Sequence, residues 1–142
     1  MADRTAHVTW SGSLMEGAGT ITSVGSGAFG PLDVTWSSRA EDSDGRTSPE
    51  ELVAAAHAAC FSMALSHGLA QAGTPAERLD VDATVTFVPG TGITKIALTV
   101  RGAVPGLDES AFVEAAEAAK VNCPVSKALA AVPEITLDAL LA

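Results

Sequence analysis

The sequence predicts an α+β fold in which antiparallel hairpins flank one long central helix. Three observations predict it. Residues 47–73, TSPEELVAAAHAACFSMALSHGLAQAG, carry helix start and stop signals around an almost uncharged interior. Residues 80–87 alternate polar and apolar side chains, as a half-buried strand does, and residues 89–92 carry a turn signal that folds the chain back. The 142 residues contain no linker, internal repeat or low-complexity segment, so a single domain over residues 1–142 is expected.

In chain order, residues 4–10 read as a first strand and 17–24 as a second, with GSGAFG (25–30) as a loop. Residues 32–38 alternate as a third strand that leads into Arg39. AEDSDGR (40–46) is polar and turn-rich, a surface loop. The long helix follows. Ser48 is its N-cap, Pro49 fits its first position, and Glu51 stands three residues after the Ser, where a capping box places its carboxylate. Gly73 and Pro75 stop it. After the hairpin of 80–87 and 93–104, Pro105-Gly106 turns the chain. Asp108 caps a helix to about Val121, with Phe112 and Val113 on its inner face. Asn122-Cys123-Pro124 ends it, Pro124 opens a short helix to about Ala131, and 134–138 form a last strand.

The long helix sets the assembly. Roughly 24 residues at about 1.5 Å each make a rod of about 36 Å, as long as a small domain is wide. No Lys or Arg occurs between Thr47 and Glu77. A helix with no charged face past its first turn is expected to be buried on most sides. The rest of the chain is hard-pressed to cover it alone. A second copy, packing its own long helix alongside, covers it more easily, so a homodimer is expected.

Composition excludes several function classes. The net charge is −9, and the eight basic residues are scattered singly. No basic patch is available to neutralise phosphate, which argues against nucleic acid and anionic membrane as partners. No apolar run is expected to span a membrane, and the start MADRTAHVTW lacks the apolar stretch of a secretory signal, so a cytoplasmic location is expected. Two cysteines do not make a disulfide scaffold, and in such a location they start out reduced.

Those two thiols carry the chemistry. A Cys in an Ala-rich helix can be simply a small hydrophobe. Cys123, however, precedes Pro124 at a helix start, where dipole and free N–H groups favour thiolate. His57 lies three residues before Cys60, on the same flank of the helix. Two thiols with electrostatic handles in one reduced chain suggest a redox pair. A zinc site built from His57, His67, Cys60 and Cys123 is the competing reading. His67 lies about 10 Å up the axis from Cys60 and no CxxC is present, so no metal or other cofactor is expected.

PEELVAAAHAACFSMAL (49–65) and NCPVSKAL (122–129) resemble the two cysteine motifs of the osmotically inducible protein C and organic hydroperoxide resistance family, on its osmotically inducible branch. The likeness extends over nearly the whole chain, through the TW-SG start, Ser38-Arg39, ITKIALTV, the VPG turn and EITLD. It implies an intertwined homodimer, with antiparallel sheets wrapped around two long central helices. It implies a thiol peroxidase acting on organic hydroperoxides and hydrogen peroxide. By motif position, Cys60 is peroxidatic, Cys123 resolving, and Arg39 and Glu50 assist. The implied reductant is an external dithiol, such as a lipoyl group on a protein or a small dithiol. Thiol–disulfide exchange or redox sensing by the same cysteines, without peroxide turnover, is the alternative function.

Physical chemistry accommodates these roles. A guanidinium near a thiol favours thiolate and can hydrogen-bond peroxide oxygens. Phe61, Met63, Phe87 and Phe112 are candidates for an apolar wall around an alkyl peroxide. Local electrostatics alone make Cys123 the more acidic thiol, whereas the family pattern gives the attack to Cys60, and that assignment is adopted. Glu50 lies about 15 Å along the helix from Cys60, too far for a side chain to span. A site completed by the partner copy's Glu50 is therefore expected.

Overall fold

The computed structural model describes residues 1–142, in two compact units, Met1–Leu52 and Val53–Ala142. The architecture is α+β, as expected, with two three-stranded sheets and four helices.

In the first unit, β1 (Ala6–Ser11), β2 (Ala18–Val24) and β3 (Leu32–Val34) form an antiparallel sheet in that order. Trp10 pairs with Gly19, and a Cβ on Gly19 would stand 2.6 Å from the indole, so only glycine lets the ring lie there. The expected third strand over 32–38 is cut short. It ends at Val34 and gives way to α1 (Trp36–Ala40). The reason is a capping box: the Ser38 N–H donates to Thr35 Oγ1 at 3.0 Å, and the Thr35 N–H donates to Ser38 Oγ at 2.9 Å. Two reciprocal bonds at the first turn outweigh a short run of alternation.

Helix α2 (Pro49–Gln71) starts in the first unit and runs through the second. Its start is as expected in one half only. The Glu51 N–H donates to Ser48 Oγ at 3.1 Å, but the Glu51 carboxylate is exposed and makes no return bond. Its end is a Schellman motif. Gly73 adopts φ +81°, its N–H donates to the Ala70 carbonyl, and the Thr74 N–H reaches back to Leu69.

The second unit holds β4 (Arg78–Val88), β5 (Gly92–Ala103), α3 (Glu109–Asn122), α4 (Pro124–Ala128) and β6 (Glu134–Leu141). Strands β4 and β5 are the expected antiparallel hairpin. Strand β6, longer than expected, lies on the other side of β5 and runs parallel to it, so this sheet is mixed rather than antiparallel. Helices α3 and α4 intervene between β5 and β6, the kind of crossover a parallel pair needs. Helix α4 ends at Ala128, short of the expected Ala131.

The core of this unit joins Phe61, Leu65 and Leu69 of α2 to Leu98 and Val100 of β5 and to Phe112, Ala116 and Ala119 of α3. Asp108 caps α3 as expected, accepting from the Ala111 N–H at 2.9 Å. Phe112 faces inward, but Val113 is 37% exposed and does not, because the inward stripe steps by four and three residues to Ala116 and Ala119.

The long helix departs most from expectation. Only the stripe His57, Phe61, Leu65 and Leu69 is buried past the first turn. Ala55, Ala56, Ala59, Met63 and Ala70 are exposed, Met63 at 74%. One chain covers one side of α2 and leaves an apolar side bare. By length and composition the helix could also cross a membrane, contrary to the sequence expectation, although the core helix of a soluble protein has the same properties.

Candidate active site

The four residues singled out by the motifs form two pairs, one in each unit. In the first unit, Arg39 ends α1 and Glu50 opens α2. The Arg39 Nε–H donates to both Glu50 carboxylate oxygens, at 3.1 and 3.2 Å, and Nη2 donates to Oε1 at 2.8 Å. The carboxylate side chain is 7% exposed and the guanidinium side chain 32%. A forked contact of this kind fixes the plane of the guanidinium. The α1 turn, absent from the strand reading, is what places Arg39.

In the second unit, α2 supplies Cys60 and the α3–α4 junction supplies Cys123. Cys123 closes one helix and opens the next: its N–H donates to the Ala119 carbonyl, and its own carbonyl accepts from Lys127. Pro124 takes the first position of α4, as expected. Both thiols are free. Cys60 is half-buried, whereas Cys123 is wholly buried.

The two thiols act on each other, and this splits their acidities. Burial pushes the Cys60 thiol up. The Val125 N–H pulls it back in part, and the neighbouring Cys123 sulfur raises it further. Burial also pushes Cys123 up, but other contacts outweigh it. The Ser126 N–H, the Cys60 thiol, the Ser126 hydroxyl and the Val125 N–H all favour its thiolate, and its pKa falls below the ordinary thiol value. Within one chain Cys123 is thus the more acidic thiol, as local electrostatics implied.

His57 is fully buried and its Nε2 lies 2.7 Å from Ser126 Oγ. Burial lowers its pKa and so favours the neutral ring. Its Nδ1 is buried without a partner. His67 is exposed and lines the clefts on the bare side of α2. His57, His67, Cys60 and Cys123 do not come together as a metal-ligating group. Of the proposed apolar wall, Phe61 and Phe112 belong to the core, Met63 points outward and Phe87 is half-buried. Ser126 was missed from sequence. Its signal is its place three residues after Cys123, where a side chain at the third helical position reaches back to the cap.

Residues 41–138 match the family described as OsmC-like protein. The chain is 46% identical over 132 residues to peroxiredoxin OsmC of Escherichia coli K12, covering 91% of this chain and 90% of that protein. Peroxiredoxin OsmC of Shigella flexneri matches to the same extent. The crystal structure of the organic hydroperoxide resistance protein OhrB of Bacillus subtilis is similar at a TM-score of 0.66 and 27% identity, over 97% of this chain and 98% of that one. An OsmC-like protein of Mycoplasma pneumoniae shares the fold at a TM-score of 0.69 and 16% identity, over 99% of both chains.

Proposed function

Since the chain belongs to the OsmC-like protein family, as its two cysteine motifs imply, we propose that it is a thiol-dependent peroxidase for organic hydroperoxides and hydrogen peroxide. Relatives named peroxiredoxin and organic hydroperoxide resistance protein support a peroxide-related redox function. The division of roles rests on one observation: two thiols that act on each other, of which only Cys60 is reachable from solvent. A peroxide meets Cys60 first.

In this reading Cys60 attacks as the thiolate. Its sulfur bonds to one peroxide oxygen, the O–O bond breaks, and the alkoxide leaves with the proton Cys60 gave up, as the alcohol. Cys60 is then a sulfenic acid. The Cys123 thiolate attacks that sulfur. The S–S bond forms as the S–O bond breaks, and the departing hydroxide takes a proton to become water. An external dithiol, such as a lipoyl group, reduces the disulfide by exchange.

No cation of its own unit is among the groups that shift the Cys60 thiol. Arg39, oriented by Glu50, is the group suited to supply one. We propose that a homodimer forms over the bare side of α2, and that the Arg39–Glu50 pair of one copy serves Cys60 of the other. The exposed Ala59, Met63 and Ala70 support the interface. A soluble, cytoplasmic protein is consistent with that use of α2.

Consumption of cumene hydroperoxide and of hydrogen peroxide, with a dithiol donor present, tests the proposal. Turnover is expected in the wild type and none in Cys60→Ser. Reversible disulfide formation with no peroxide consumed would favour thiol–disulfide exchange instead.

A further inference from the structure

Buried polar groups are normally satisfied, and a buried histidine with one orphan nitrogen calls for an explanation. His57 sits on α2 one turn before Cys60, is fully buried, and reaches across to α4, where its Nε2 meets Ser126 Oγ at 2.7 Å. Ser126 in turn stands at the third position of α4, which Cys123 caps, and its hydroxyl favours the Cys123 thiolate. Three side chains from two helices thus form one line ending on a reactive atom.

The orphan nitrogen sets the direction of that line. Were the imidazole proton on Nδ1, it would be a buried donor with no acceptor, and the Ser126 hydroxyl would be spent on Nε2. With the proton on Nε2, the ring donates to Ser126 Oγ, and the hydroxyl proton is free to point at sulfur. Only the bare Nδ1 lone pair is then unmet, a smaller loss than an unmade N–H. A neutral ring suits this arrangement, and burial favours the neutral ring.

On the peroxidase reading above, we infer that His57 and Ser126 are positioning residues for the resolving step: His57 Nε2–H holds Ser126, whose hydroxyl fixes Cys123 as a thiolate aimed at Cys60. The groups that titrate beside Cys123 are Cys60 directly and His57 through Ser126. In the step they serve, Cys123 displaces hydroxide from the Cys60 sulfenic acid. A sulfenic acid left waiting is open to a second peroxide and to overoxidation. The relay therefore protects Cys60 by keeping its partner ready.

The test removes one oxygen. Ser126→Ala and Ser126→Thr are compared in two assays. The first follows thiolate absorbance against pH in the Cys60→Ser background, where only Cys123 titrates as a thiol. The second follows sulfenate and disulfide formation by rapid quench and mass spectrometry, with both cysteines present. Ser126→Ala is expected to raise the Cys123 midpoint. Below it, the thiolate fraction falls about tenfold per unit of rise, so disulfide formation slows relative to sulfenate formation and sulfinic acid accumulates on Cys60. Ser126→Thr, which keeps the hydroxyl, is expected to restore both. His57→Gln, with Ser126 intact, is expected to shift both in the same direction and covers the case in which Ser126→Ala does not fold. An unchanged midpoint and rate ratio in a folded Ser126→Ala, or in His57→Gln should that variant alone fold, would overturn the inference. A shifted midpoint in a protein that consumes no peroxide would support the relay and refute the peroxidase reading.

Discussion

The two adjacent glutamates at the start of α2 are expected to separate cleanly on mutation. Glu50 is 6% exposed and holds Arg39 through three short contacts. Glu50→Ala removes the carboxylate and leaves a guanidinium whose side chain is 32% exposed and can be rehydrated. The loss falls between that of a surface ion pair, about 0–1 kcal/mol, and that of a broken buried pair, about 3–5 kcal/mol, so about 1–2 kcal/mol is expected. From the motif alone, Glu50→Ala is expected to spare stability and Glu51→Ala to be costly through the cap. The structure reverses that order. The Glu51 carboxylate makes no capping bond, so Glu51→Ala should cost about 0.3–0.5 kcal/mol through the helix dipole. Ser48→Ala, which removes the cap oxygen, should cost about 1 kcal/mol. Urea unfolding at equal protein concentration is the assay. With slopes of about 1–3 kcal/mol/M, Glu50→Ala should lower the midpoint by about 1 M and Glu51→Ala by a small fraction of that. Peroxide consumption should fall in Glu50→Ala and persist in Glu51→Ala. A Glu51→Ala variant less stable than Glu50→Ala would refute the reasoning.

Gly102→Ala should destabilise by about 1–3 kcal/mol, measured by the same unfolding, because a Cβ there would stand 2.5 Å from the buried Phe112 ring. His57, whose pKa burial lowers, contributes stability that is complete above its ordinary value of 6.5 and is lost as pH falls through its folded value. Unfolding midpoints measured downward from pH 7 should therefore decline less steeply in His57→Gln than in wild type. Light scattering should give a dimer at micromolar concentration, and a folded monomer would contradict the proposed use of the bare side of α2. Refolding Glu50→Ala together with Cys60→Ser should restore activity, since one mixed dimer holds one site with neither defect. No recovery in confirmed heterodimers would place Glu50 within its own chain's site or outside the chemistry.

Much of the fold was legible because its signals are local. Ser48-Pro49 and Gly73-Pro75 bracket α2, strict alternation marks β4, and Asp108 and Pro124 start their helices where expected. The failures have the opposite character. Helix α1 was hidden because Thr35 and Ser38 cap each other reciprocally, while Trp36 and its neighbours also fit an alternating strand. The parallel run of β6 depends on where α3 and α4 deliver the chain, which no local pattern encodes. The burial of α2 was overstated because composition reports that a face wants cover, not which molecule covers it. At the site, both cysteines and the Arg39–Glu50 pair were visible as motif positions. Ser126 was not, since its importance lies in touching His57 from 69 residues away.

In the proposed mechanism Cys60 is oxidised first and Cys123 resolves it. Adding one equivalent of cumene hydroperoxide to the reduced protein, then mapping both cysteines by mass spectrometry in wild type and in Cys123→Ser, tests it most directly. A Cys60–Cys123 disulfide is expected in the wild type and, in Cys123→Ser, a trapped sulfenic or sulfinic acid on Cys60. A sulfenic acid trapped on Cys123 of the wild type, with Cys60 still a thiol, would contradict it.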